Sequence, residues 1–178
     1  MSTTNTFWRD ANHFPIVENG LLVSKEVTFT GNNETAVVPL FTVTGVVEVV
    51  ALYGVVKTAF GANHTDAHWR VNDQTATDQI LTKATTLNLS GISPNALVFK
   101  SGLITAAATY KTADAASVYE PTTLQTHVFT PAIIVQKTGD IQTDIEYVYT
   151  TTDTPTSGAM TFYCGFIPLS PDGNVVAY

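Results

Sequence analysis

Residues 36–60, AVVPLFTVTGVVEVVALYGVVKTAF, are the most apolar stretch of the chain and are rich in β-branched side chains, which favour pleated, buried backbone. Between positions 46 and 56 both alternating sets are mostly apolar: Val46, Val50, Leu52 and Val56 in one, Val47, Val49, Tyr53 and Val55 in the other. A strand with one wet face alternates apolar with polar, so this one is expected to be covered on both sides. In a sandwich one face meets the opposite sheet. The other then needs a second cover, and a neighbouring subunit is the simplest candidate. The run carries Glu48 and Lys57 and is too short to cross a bilayer, which makes it a core strand rather than a membrane helix.

A chain of 178 residues fits one domain, and at this size roughly 70% of the unfolded surface is buried, enough for a core without staples. Eight Lys and Arg against fifteen Asp and Glu give a net charge of −7. The lysines Lys25, Lys57, Lys83, Lys100, Lys111 and Lys137 stand singly. Nucleic-acid binding needs clustered cations, as does attachment to an anionic membrane, so neither partner is expected. The lone cysteine, Cys164, excludes an internal disulfide and fits synthesis in a reducing cytoplasm. The polar opening MSTTNTFWRDAN lacks the apolar core of a signal peptide.

Residues 1–20 have little periodicity but include Phe7, Trp8 and Phe14 before Pro15. They read as an extended arm that lies against something, because exposing three large aromatics in a frayed tail is costly. Strands are expected at 21–30, with a register change near Lys25-Glu26, and at 37–44, where Pro39 marks an edge. Another comes at 46–58 after Gly45, a bulge, kink or tight turn. Shorter strands are expected at 68–71, 97–99, 103–110, 128–129, 133–136, 145–149 and 160–167, separated by turn clusters. Only 75–82, TATDQILT, suits a helical turn. This spacing specifies an all-β chain: a single-domain antiparallel β-sandwich of jelly-roll type over 21–178, preceded by the arm 1–20 and ending in an extended tail, 168–178.

Chemistry-bearing residues are few. His64, Asp66 and His68 recur at i, i+2 and i+4, which on an extended strand would share one face and could ligate zinc. The preceding Gly61-Ala62-Asn63 instead suggests a polar surface loop. Asp140, Asp144 and Glu146 could supply a glycosidase pair, but nothing fixes a separation or a raised pKa, and turn and edge positions account for them. Residues 140–144 lack the glycine and ligand spacing of a calcium loop. Cys164, between Tyr163 and Gly165, has no cationic sequence neighbour to hold a thiolate. There is no Gly-x-Ser-x-Gly elbow, phosphate loop or dinucleotide fingerprint. Sequons at Asn33, Asn63 and Asn88 are what chance gives in a threonine-rich chain. Trp69 and Tyr119 could form a sugar platform, and serve equally as core or interface residues. No catalytic residue, metal ligand set or cofactor is expected, and the chain does not read as an enzyme.

The closing stretch 158–178, GAMTFYCGFIPLSPDGNVVAY, joins an aromatic strand to turns at Pro168, Pro171 and Asp172-Gly173-Asn174 before Val175-Val176-Ala177. An aromatic strand leading into P-L-S-x-D-G-N-V-V-A resembles a family of small all-β proteins of tailed bacteriophages, taken to be virion structural proteins of the head. The similarity extends less tightly to 40–56, with its F-T-V-T-G-x-V centre, and to the threonine-rich 71–94, about half of the chain. Where the family pattern often has basic residues after the first glycine, this chain has Val46-Val47-Glu48, and 101–131 resembles an insertion.

The resemblance implies a structural role in a virion. Negative net charge suits the outside of a shell, since phosphates would repel it from a DNA-facing wall. The apolar strand supplies a surface that subunits bury around a closed symmetry axis. The expectation is a capsid decoration (cement) protein, a homotrimer bound to the outer surface of the major capsid protein lattice. Val46, Val50 and Tyr53 would sit at subunit contacts, and Phe7, Trp8, Phe14, Val175, Val176 and Tyr178 would anchor to neighbours. The rival expectation is a head-fibre, tail or receptor-binding component recognising a cell-surface glycan.

Overall fold

The computed structural model describes residues 20–30, 35–72, 78–100, 109–111, 131–137, 142–151 and 157–178. Twelve strands and no helix occur among them. They build two antiparallel sheets packed as a β-sandwich. The first sheet runs β1 (Leu21–Phe29), β11 (Gly158–Pro168), β3 (Val46–Thr58), β7 (Leu97–Phe99) and β8 (Thr109–Lys111). β9 (Ala132–Val135) pairs with the other half of the β3 edge that carries β7. The second sheet runs β12 (Asn174–Ala177), β2 (Thr35–Thr44), β10 (Thr143–Thr150), β4 (His64–Asn72) and β5 (Gln79–Ile80), with β6 (Thr85–Leu87) also on β4.

The long apolar run divides between the sheets. β2 ends the segment in the second sheet, and Gly45, in a left-handed conformation (φ 61°), turns the chain into β3 of the first. A Cβ at Gly45 would fall 2.5 Å from Ser170 Oγ and 2.6 Å from Asp172 Oδ1, so only glycine fits this corner. The turn after β11 closes over it. Ser170 Oγ accepts the Val46 N–H (2.8 Å) and donates to Asp172 (2.7 Å), while the Leu169 N–H donates to the Val46 carbonyl (2.8 Å). The P-L-S-x-D-G-N segment therefore has a local task, bracing the point where the chain changes sheets. The C-terminal residues beyond it are not a loose tail: β12 pairs with β2 from Asn174↔Thr44 to Ala177↔Phe41, as an edge strand of the second sheet.

The core lies between the sheets and is aromatic at its centre, with Phe41, Trp69, Tyr147 and Phe162 fully buried among Leu40, Leu52, Ile145 and Met160. β1 contributes an unbroken alternation, Val23, Val27 and Phe29 facing inward opposite Cys164, Met160 and Gly158. The register change expected near Lys25 does not occur. Lys25 occupies an inward position at the edge, and its stem carries Nζ across to the Pro39 carbonyl (2.8 Å) and over the Tyr178 ring (5.0 Å). Pro39 sits where β12 no longer covers β2, so its missing N–H interrupts no pairing on that side. The helical turn expected at 75–82 is replaced, over its described part, by the short strand β5. Of the strands expected at 103–110 and 128–129, only Thr109 and Tyr110 fall within the described residues.

Candidate interaction face

Bulges decide which side chains reach the surface. In β3, Val49 pairs with Phe166 and Ala51 with Gly165, leaving Val50 as an extra residue. The inward set therefore changes from Val47 and Val49 to Leu52, Gly54 and Val56, all buried. Neither simple alternating set survives intact. Val46, Val50 and Tyr53, drawn from both sets by sequence, come together on the outer face, each half-buried.

That outer face is apolar over much of its width. Antiparallel register places Leu22 beside Gly165, Tyr53 between Tyr163 and Phe99, Val55 beside Leu97, and Val46 beside Val135. Tyr53 and Tyr163 stack with centroids 4.9 Å apart, and burial, then the neighbouring Tyr163, raises the Tyr53 hydroxyl pKa above the ordinary tyrosine range. Leu22, Ile133 and Val135 are the most open, at 62%, 64% and 63% exposure. Glu26 and Glu48 are the acidic side chains that interrupt this face among the described residues.

The second sheet turns a different face to its outside. Glu146 accepts from Arg70 Nε (2.7 Å) and Asn72 Nδ2 (2.9 Å), and Arg70 also pairs with Asp78. Asp144 accepts from Thr42 Oγ1 (2.8 Å) and Gln142 Nε2 (3.1 Å). Both carboxylates are nearly inaccessible and each accepts two side-chain hydrogen bonds. They are the β10 members of the carboxylate set read from sequence. Asp140 lies outside the described residues, so no pair with it can be placed.

The proposed zinc ligands separate. Asp66 adopts φ 51° within a bulge of β4, where Thr65 pairs with Thr150 and His68 with Val148. This sends His64 inward and leaves His68 on the outer side, so the i, i+2, i+4 alignment is lost. His64 is no loop residue either. It is completely buried, its ring stacked on Tyr149 (4.3 Å) and packed against Phe29 and Phe60 (5.1 and 5.0 Å), with Nδ1 3.0 Å from the Tyr147 hydroxyl. Burial pushes its pKa down to about 3. Cys164 is likewise enclosed, its thiol pushed up to about 12 by burial. Neither group is poised as a base or nucleophile at neutral pH. No cluster of three His, Cys, Asp or Glu side chains suited to a metal occurs among the described residues.

Trp69, a candidate sugar platform, is a core residue with 0% exposure, because the β4 bulge turns it toward Tyr147 and Phe162 (5.6 and 6.4 Å). Tyr119, Phe7, Trp8 and Phe14 lie outside the described residues. Of the tail residues, Val175 is buried in the core, inward-facing where β12 pairs with Val43, and offers no anchor. Val176 and Tyr178 are exposed beside it. Sequence reasoning missed Leu22, Ile133 and Val135. The signal for the last two was present, since AIIV is apolar at both parities, as is the β3 edge it joins.

Compared with known proteins, the chain matches no family model, no curated protein and no solved structure.

Proposed function

We propose that this protein is a structural subunit of a bacteriophage virion, a capsid decoration protein that assembles as a homotrimer on the outside of the major capsid lattice. One observation carries the reading: Leu22, Ile133 and Val135, each more than 60% exposed, form an open apolar rim of the first sheet's outer face, outside its stacked Tyr53–Tyr163 centre. A face of this kind marks an association surface. The opposite face, where Arg70 is held between Glu146 and Asp78, does not compete for that role. Further support comes from the C-terminal motif that resembles phage head proteins. The interleaving of early and late strands in both sheets, β1–β11–β3 and β2–β10–β4, is also the connectivity expected of jelly-roll sandwiches, an architecture used in viral capsids.

In this role the sandwich is rigid mass, and its work is to bridge lattice subunits against the pressure of packaged DNA. The test is the position and copy number of the chain in a purified particle. Copies distributed over the lattice are expected. A ring at one vertex would assign it to tail or portal hardware, and absence from the particle would end the proposal.

A further inference from the structure

We infer that the aromatic N-terminal segment of this chain docks on its own first sheet, across the outer face at Val50, Tyr53, Tyr163 and Phe99. The inference begins at Gly20. Leu21 is the first residue of β1 and pairs with Phe166 of β11, so a chain continuing the strand would stay beside β11 in the plane of the sheet. Gly20 does not continue it. It adopts φ 59°, and a Cβ there would lie 2.7 Å from the Phe166 carbonyl oxygen and 3.4 Å from Val50 Cγ2. Val50 belongs to β3, the strand beyond β11. To come so close to its outward side chain, Gly20 must sit above β11, on the outer face.

Two glycines make this crossing possible. Gly20 supplies the left-handed backbone, and a side chain there would strike the Phe166 carbonyl. Gly165, paired with Leu22 on the same face, has no side chain to stand in the way, and a Cβ there would crowd Ala51 Cβ at 3.1 Å. Gly20 therefore leads into β1 from over the apolar face.

Reach and chemistry suit that occupant. Phe14 is six residues before Gly20, a span of up to about 20 Å at ~3.3 Å per extended residue. The distance from β11 across β3 to β7 is two strand spacings, about 10 Å. Residues 11–17, ANHFPIV, carry no Asp, Glu, Lys or Arg, matching a face on which Val50, Tyr53, Val55, Tyr163 and Phe99 are half-buried and uncharged. A short tether holds such a segment at an effective concentration in the millimolar range, which favours the chain's own sheet over a neighbour's. This docking does not depend on the virion role, and either could fail alone.

Photo-crosslinking tests it directly. With p-benzoylphenylalanine at position 14, irradiation of the dilute full-length protein is expected to give a product of monomer mass. Peptide mapping should place the link in the β3, β7 or β11 peptides. A link elsewhere, a product joining two chains, or no product overturns the inference. In parallel, the F7S/W8S/F14S variant should bind an apolar dye such as anilinonaphthalene sulfonate several-fold more strongly with unchanged far-ultraviolet dichroism. Unchanged dye binding by a folded variant counts against the docking equally.

Discussion

Replacing His64 with phenylalanine should remove a specific part of the protein's acid sensitivity. His64 is enclosed by Phe29, Phe60, Tyr147 and Tyr149, and burial holds its pKa at about 3. In the unfolded chain the same imidazole takes a proton at about pH 6.5. Below that pH the unfolded state binds a proton that the native state refuses, so stability is full above about 6.5 and falls as the pH drops toward 3. Each pH unit in that window costs about 1.4 kcal/mol for one group, or about 2–3 kcal/mol between pH 6.5 and 4.5. At neutral pH the H64F protein loses the Tyr147 hydroxyl's 3.0 Å partner, a penalty of about 1–3 kcal/mol partly offset by deleting the unpartnered Nε2. Urea unfolding of both proteins at about pH 7 and pH 4.5 supplies the measurement. The wild type should lose about 2–3 kcal/mol more than H64F over that interval, because the two proteins share every other ionisable group. Equal losses would refute the reasoning.

Three further sets of substitutions probe the corner, the charge network and the proposed assembly face. Gly45→Ala should destabilise by about 2–3 kcal/mol, measured as a shift in thermal midpoint, since the new Cβ meets Ser170, Asp172 and the Gly173 nitrogen within 2.7 Å on backbone already left-handed. Arg70→Met should cost about 2–4 kcal/mol by leaving the nearly inaccessible Glu146 with Asn72 as its remaining side-chain partner, and adding Glu146→Gln should recover most of it. Ile133→Asp with Val135→Asp should leave the thermal midpoint within about 1 kcal/mol of wild type, both side chains being exposed. Sedimentation should nevertheless shift toward the monomer.

Much of the fold was legible because it rests on composition and period. The all-β class, the two-sided apolar character of 46–56 and the inert burial of Cys164 are all written in local sequence. What escaped depends on cross-strand register. Nothing in V-V-A announces that Val50 is skipped by β11, yet that one bulge reassigns every later side chain of β3. The bulge at Asp66 likewise turns a metal-like triplet into one core histidine and one outer one, and carries Trp69 inward. Lys25 misled in another way. A charge in an alternating strand reads as a break in register, whereas a lysine at an edge keeps the period and sends its amine to a distant carbonyl.

The size of the open patch bears on the proposed trimer. Burying Leu22, Ile133 and Val135, each a little over three-fifths exposed, returns roughly 1–2 kcal/mol apiece, or about 3–6 kcal/mol together. Bringing two proteins together costs an estimated 4–15 kcal/mol, so one such contact does not sustain a stable dimer. The second sheet cannot make up the deficit, because docking there would desolvate the Arg70–Asp78–Glu146 network without offering it better partners. A closed ring removes the difficulty: each subunit makes two contacts, and leaving the ring means breaking both. Dilution and then analytical ultracentrifugation should show monomer and trimer exchanging with little dimer between them. A dominant dimer would mean that the contact is strong pairwise and two-fold, and the ring would have to be abandoned.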